Sequence, residues 1–146
     1  MNEKPRILII EDDIDFVESL KKILETKGYD VIVANNPEQG EEKLKQERTD
    51  LIILDVMFGI KGETKGFDFS RKVRLDKEFA GIPILMSTAI NTKIPFFNFS
   101  LDTDNEYLPV DGFFDKPFQP EELIFKVEDL LKQKTSKWRN WPHKEE

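Results

Sequence analysis

Positions 7–13 of the chain read ILIIEDD, four branched apolar residues followed at once by three acids. A continuous apolar run without alternation is typical of a strand buried on both faces of a parallel sheet. Apolar residues then recur at helical spacing from Ile14 to Leu24, and Gly28 stands where a glycine often ends a helix. Asp13 and Asp15 are both candidates for the N-cap of that helix. The stretch therefore predicts a buried strand that leads into an amphipathic helix.

The same unit recurs along the chain. Apolar runs at 31–34, 51–54, 82–86 and 113–114 predict four further strands. Between and after them we expect a polar helix from Pro37 to about Glu47, a helix near 67–77, and a last helix from Pro120 through Leu131. Strands that alternate with helices predict a parallel sheet covered on both faces. Positions 91–110 show no clean period, and the Phe96–Phe99 cluster there is interpreted as local core.

Composition excludes several classes of protein. The chain has 146 residues, which fits one domain, and a formal net charge of -7. That charge argues against nucleic acid or an anionic membrane as the main partner. The absence of cysteine excludes a disulfide framework, a zinc–thiolate site and a cysteine nucleophile. No apolar run approaches the roughly 20 residues of a membrane helix, and no signal-peptide pattern begins the chain. We expect a cytoplasmic domain without membrane insertion.

Polar groups follow four of the predicted strands. They are Glu11 and Asp12, Asp55, Ser87 and Thr88, and Lys116. The carboxyl ends of parallel strands meet at one edge of the sheet, where ligands of such folds bind. Three carboxylates gathered there would repel one another, and hard oxygen ligands favour Mg²⁺ as the neutralising ion. A carboxylate beside a metal, a hydroxyl and an ammonium group is equipped to accept a phosphoryl group.

Four stretches together resemble the signatures of response-regulator receiver domains. They are positions 7–13, 54–57 (LDVM), 86–89 (MSTA) and 115–118 (DKPF), in the family's order. The resemblance covers roughly Pro5 to Lys134. It implies a flavodoxin-like (CheY-like) three-layer α/β/α fold with a five-stranded parallel sheet of order 2-1-3-4-5.

The resemblance also implies a role for each site residue. Asp55 matches the phosphoacceptor. Glu11, Asp12 and Asp55, with the backbone carbonyl of Met57, match the ligands of Mg²⁺, for which Mn²⁺ could substitute. Thr88, Lys116 and Phe113 match the residues that contact the phosphoryl group or move on activation. Ser87 is the alternative to Thr88 for the hydroxyl role. The resemblance also implies a cis Lys116–Pro117 bond.

By this resemblance the protein is a stand-alone response regulator of a two-component phosphorelay. It would take its phosphoryl group from a sensor histidine kinase or a histidine phosphotransfer protein and signal to a downstream protein target, rather than act as an enzyme. Two departures from the family pattern border the site and its output surface. Gly59 stands where a proline is usual, in a loop that looks longer than normal through Lys65, and 91–110 is long and poor in helix signals.

Alternatives remain open at this point. The main rival is a receiver-like docking module that is never phosphorylated in the cell. A phosphohydrolase of the haloacid-dehalogenase type would need a second aspartate where Met57 stands, and a flavin site is disfavoured because the first turn is acidic.

The end of the chain is interpreted separately. We expect residues 1–134 to form the domain and 135–146 to form a tail, with no output domain attached. Trp138 and Trp141 in that tail either fold back on the domain or form a partner-docking motif. His143, the single histidine, is interpreted as a solvated tail residue.

Overall fold

The computed structural model describes residues 4–55, 65–88, 110–115 and 119–133, with positions 55, 65–67, 88, 113, 115 and 133 described by their backbone alone. In chain order the elements are β1 (Arg6–Ile10), α1 (Ile14–Thr26), β2 (Asp30–Ala34), α2 (Pro37–Gln46), β3 (Leu51–Asp55), α3 (Lys65–Leu75), β4 (Ile84–Thr88), β5 (Gly112–Asp115) and α4 (Pro120–Gln133). Every strand and helix predicted from the sequence is present, although several ends are shifted.

The strands form one parallel sheet of order β2-β1-β3-β4-β5. The chain order reverses on either side of β1, which makes the carboxyl ends of β1 and β3 the edge at which such folds bind ligands. The flavodoxin-like fold and the strand order expected from the resemblance are confirmed.

The core consists of two apolar clusters, one on each face of the sheet. Ile7 and Ile9 belong to the cluster that packs against α1 and α4, whereas Leu8 and Ile10 belong to the cluster under α2 and α3. All four side chains are fully buried. The unbroken apolar run of β1 follows from this arrangement, because a strand covered on both faces has no side that faces water.

Helix α1 begins and ends as its sequence predicts, and the structure decides between the two candidate caps. The Asp13 side chain accepts a hydrogen bond from the backbone N–H of Phe16 at 3.2 Å, so Asp13 is the N-cap and Asp15 lies in the first turn. Gly28 follows the helix with φ of 96°, a left-handed conformation that favours glycine.

Strand β4 differs from its prediction. The apolar run suggested 82–86, but the strand spans Ile84–Thr88. Pro83 has no N–H to give to a ladder, and the Ile82 N–H bonds back to the Phe79 carbonyl in a turn, so pairing starts two residues later. Similarly, α3 occupies Lys65–Leu75 rather than 67–77. Most of 91–110 and all of 135–146 lie outside the described residues, as does the Phe96–Phe99 cluster.

Candidate functional site

The carboxyl ends of four neighbouring strands bring the predicted site positions to one edge of the sheet. Ile10 pairs with Leu54, so Glu11 and Asp55 are the next positions along β1 and β3. Asp55 pairs with Ser87, and Thr88 pairs with Asp115. Because adjacent strands lie about 4.8 Å apart, these backbone positions are consecutive steps across the sheet.

Glu11 is the most buried acid among the described side chains of this region. Only 3% of it is exposed. Its backbone N–H donates to the Ala34 carbonyl at 3.0 Å, and its Oε2 accepts from the backbone N–H of Asp13 at 3.1 Å. A buried carboxylate needs such partners to offset its lost hydration. These bonds hold the Glu11 side chain at the start of the β1–α1 turn, beside the end of β3.

Asp12 and Asp13, the other two acids of the β1–α1 turn, lie in different environments. Asp13 caps α1 through its side chain, whereas Asp12 is exposed at the rim of the edge. The two predicted metal-ligating acids of this turn therefore differ in environment: Glu11 is buried and held by a backbone donor, and Asp12 faces solvent. An oxygen-only donor set of this kind fits Mg²⁺.

Ser87 carries a buried hydroxyl that no described residue pairs. Its side chain is fully buried, and within the described part of the chain its Oγ has no hydrogen-bond partner. Buried hydroxyls are normally paired, so an unpaired one beside a proposed site is a candidate for a role in that site. The hydroxyl lies one strand away from Asp55.

Several predicted site residues are located only in part. Asp55 and Thr88 are the last residues of β3 and β4, whereas Phe113 is the second residue of β5 and pairs with Met86. The side chains of these three residues are outside the described set, as are Met57 and Lys116 altogether. Among the side chains that are described, no three acidic or histidine groups cluster closely enough to hold a metal ion. The predicted metal site also includes the Asp55 side chain and the Met57 carbonyl, which lie outside the described set.

Sequence reasoning missed a buried ion pair at the opposite edge of the sheet. Arg74 is fully buried and donates to the Ala80 carbonyl at 3.0 Å, to the Ile82 carbonyl at 2.7 Å and to Asp111 Oδ2 at 2.6 Å. Asp111 Oδ2 also accepts from the backbone N–H of Ile84 at 2.9 Å. Burial lowers the pKa of Arg74 to about 10, and the Asp111 carboxylate opposes that shift.

This ion pair ties together elements at the amino ends of β4 and β5. It joins the end of α3 to the first residue of β4 and to the position just before β5. The two residues are 37 positions apart, and no local sequence signal distinguishes this pair among the chain's 22 basic and 29 acidic side chains.

Within the described residues, no helix is long and apolar enough to cross a membrane.

Comparison with known proteins gives a consistent result. The family model of the response regulator receiver domain matches residues 7–128. The DNA-binding dual master transcriptional regulator RpaA of Synechocystis sp. is 37% identical over 132 residues, and the match covers 88% of this chain and 50% of RpaA. The alkaline phosphatase synthesis transcriptional regulatory protein PhoP of Bacillus subtilis is 35% identical over 133 residues, covering 91% of this chain and 50% of PhoP.

Solved structures agree with the sequence comparisons. The chemotaxis protein CheY4 of Vibrio cholerae is 26% identical and superposes with a TM-score of 0.73, covering 88% of this chain and 99% of CheY4. This chain spans about half the length of the curated relatives it matches, so the match concerns their shared domain. The chain belongs to the response regulator receiver domain family of two-component signalling.

Proposed function

We propose that Asp55 is the phosphoacceptor of this receiver domain and takes its phosphoryl group from a histidine of a partner kinase or phosphotransfer protein. An Asp55 carboxylate oxygen attacks the phosphorus, the bond from phosphorus to the donor imidazole nitrogen breaks, and an acyl phosphate forms. The observation that carries the proposal is the strand register, which puts the Asp55 position between Glu11–Asp12 on one side and Ser87–Thr88 on the other.

The acids of the β1–α1 turn fit a divalent ion. We propose that Glu11, Asp12 and Asp55, with the Met57 carbonyl, hold Mg²⁺, and that Mn²⁺ can replace it. When bound, the ion offsets negative charge on the phosphoryl oxygens. The backbone N–H of Asp13 donates to the Glu11 carboxylate and holds it in place before the ion arrives, which reduces the cost of ordering it.

Thr88 and Lys116 are proposed to contact the phosphoryl group, and Phe113 to move with Thr88 on activation. Thr88 ends β4 and Phe113 lies in β5, the neighbouring strand, so a shift at one position can reach the other through the sheet. The changed surface then binds a downstream protein. This is signalling by a modified surface rather than turnover of a substrate.

The same proposal implies a cellular location for the domain and bears on whether it contacts nucleic acid. A kinase partner places the domain in the cytoplasm. The RpaA name describes DNA binding by that protein, whereas the net charge of -7 disfavours a nucleic-acid contact by this domain itself.

The first test is intact mass after incubation with acetyl phosphate and Mg²⁺. Wild type should gain one phosphoryl group, and Asp55→Asn and wild type with EDTA should gain none. Acetyl phosphate alone is not a sufficient donor for every receiver, so the same samples are also presented to a panel of phosphorylated histidine kinases. No gain from either donor, together with no Mg²⁺ binding by calorimetry, would contradict the proposal and favour an unphosphorylated docking module.

Two hydroxyl variants decide between Thr88 and Ser87. Thr88→Ala should change the lifetime of the acyl phosphate, because it removes the hydroxyl proposed to contact the phosphoryl group. Ser87→Ala removes a buried hydroxyl that has no partner among the described residues, and it should leave that lifetime unchanged. The reverse result would assign the role to Ser87.

A further inference from the structure

An open groove of about 590 Å³ lies between α1 and α4, on the face of the domain away from α2 and α3. Ile23 and Thr26 line its α1 side, and Ile124 and Phe125 line its α4 side. Ile23 and Ile124 continue inward to the core cluster of that face. The groove is therefore an apolar opening that leads to the core.

Phe125 is the unusual residue of this groove. Helix α4 buries Leu123, Val127 and Leu130 against the sheet, but 69% of Phe125 is exposed at the groove rim. Among the described residues, the exposed large apolar side chains are Ile14 (73%), Phe125 (69%) and Leu75 (47%). Of these, Phe125 alone lines the groove. An exposed aromatic beside an apolar cleft is typical of a contact surface.

The chain supplies an occupant of matching chemistry. Both tryptophans of the protein, Trp138 and Trp141, follow α4 within eight residues. Phe125 lies eight residues before the end of α4, about 12 Å along the helix at 1.5 Å per residue. Eight residues of extended chain from Gln133 to Trp141 reach about 27 Å. The segment after α4 is thus long enough to reverse direction and bring an indole to Phe125.

Charge on the α4 side of the groove favours the same contact. Residues 134–146 carry four Lys and Arg side chains, and their two acids, Glu145 and Glu146, follow all four. Glu121 and Glu128 line the α4 side of the groove, and Lys22 and Lys27 line its α1 side. The rim is therefore acidic on its α4 side and basic on its α1 side. Basic side chains of the segment can pair with the acids of α4, which orients the segment along that helix, while its indoles cover the apolar floor.

We propose that residues 134–146 fold back along α4 and dock in the α1–α4 groove, with their tryptophans packed against Phe125 and Ile23. Of the two roles left open for these tryptophans, the groove favours the first, folding back on the domain. The docked segment covers this face of the receiver domain and stabilises the fold, and it does so whether or not Asp55 carries a phosphoryl group.

Tryptophan fluorescence tests the proposal directly, because all of the signal arises from the segment in question. In the full chain, quenching by acrylamide should be severalfold weaker than in a synthetic peptide of residues 134–146, and emission should be shifted to the blue. Phe125→Lys should raise quenching to the level of the peptide. Leu75→Lys is the matched control, since it replaces an exposed apolar residue on α3, outside the groove, and should change nothing.

Three results would overturn the proposal. Quenching of the full chain equal to that of the peptide would mean that the segment is solvated. Protection that survives Phe125→Lys would mean that it docks elsewhere. Protection that increases with protein concentration would mean that the groove receives the segment of a second copy.

A second measurement keeps the test valid if Phe125→Lys is poorly folded. Trp138→Ala with Trp141→Ala should lower the urea midpoint of the wild-type chain but not that of the milder Phe125→Ala variant. Equal losses in both backgrounds would show that the tryptophans do not act through Phe125 and would refute the contact.

Discussion

Arg74 and Asp111 show how much one pair of residues can decide in this domain. Both are almost completely buried, with 0% and 3% of their side chains exposed. Taking two charges out of water is costly, and the pair recovers that cost through short hydrogen bonds to each other and to backbone groups of the α3–β4 connection and of β4. Although burial lowers the pKa of Arg74 to about 10, the guanidinium remains protonated at pH 7.

Removing one partner of this pair should be strongly destabilising. Asp111→Ala leaves the Arg74 charge buried without its counter-ion, and we expect a loss of about 3–5 kcal/mol in the free energy of unfolding, measured by urea denaturation. Asp68→Ala is the control: it breaks the exposed pair with Arg71, whose side chains are 57% and 49% exposed, and should cost no more than about 1 kcal/mol. The double variant Arg74→Met with Asp111→Leu should recover much of the loss, because no charge is then left buried. Similar losses for Asp111→Ala and Asp68→Ala would contradict this account.

The sequence predicted strands and helices correctly wherever residues close together in the chain determine them. The apolar run of β1, the period of α1 and Gly28 after it are local, and the observed elements match them. The start of β4 is set by the turn that ends at Ile82 and by Pro83. The apolar run 82–86 continues across this boundary, so the sequence alone did not mark it. The Arg74–Asp111 pair joins distant parts of the chain and leaves no local pattern.

The candidate site shows the same division. The positions of Glu11, Asp55 and Ser87 at one edge follow from parallel strands of known order, which the sequence predicts. The hydrogen bond to the Glu11 carboxylate, the exposure of Asp12 and the burial of the Ser87 hydroxyl depend on side-chain packing, which no pattern of residue types encodes. The residue types in the sequence thus predicted the edge of the sheet at which the candidate site lies. The burial and hydrogen bonding of each side chain there depend on three-dimensional packing.

Gly40 in α2 is a case in which packing should override helix propensity. Replacement of an interior helical glycine by alanine usually stabilises a helix by about 1 kcal/mol. Here the added Cβ would lie 2.5 Å from Cδ1 of Ile10, which is fully buried under the helix. Overpacking of this kind costs about 1–3 kcal/mol, so we expect a net loss for Gly40→Ala.

Urea unfolding of four variants measures that effect. Gly40→Ala should be less stable than wild type, whereas Lys45→Ala, an exposed change on the same helix, should stay within about 0.5 kcal/mol. Ile10→Val removes the Cδ1 atom that the new methyl group meets. The double variant should therefore be more stable than the sum of its two single changes. Stabilisation by Gly40→Ala alone would mean that Ile10 moves aside at little cost.

The whole molecule carries a net charge of -7, and its proposed site concentrates acids at one edge of the sheet. Excess charge of one sign destabilises a compact chain through self-repulsion. Any added salt screens this repulsion to some extent. A specific ion differs because it binds the folded site and not the unfolded chain, and its stabilisation follows its affinity.

Mg²⁺ should therefore stabilise the fold beyond the effect of its ionic strength. At about 100 times its dissociation constant, the ion adds about 2.7 kcal/mol to the free energy of unfolding, and NaCl at matched ionic strength should add much less. Asp12→Asn removes an exposed carboxylate from the proposed ligand set without disturbing the core. This variant should be at least as stable as wild type in EDTA, because repulsion among the acids falls, and should gain little from Mg²⁺. Asp15→Asn, in the first turn of α1 and outside the ligand set, is the control and should respond to Mg²⁺ as wild type does. If NaCl reproduces the whole effect of Mg²⁺, or if Asp12→Asn gains as much as Asp15→Asn, the acids of this edge do not form a metal site.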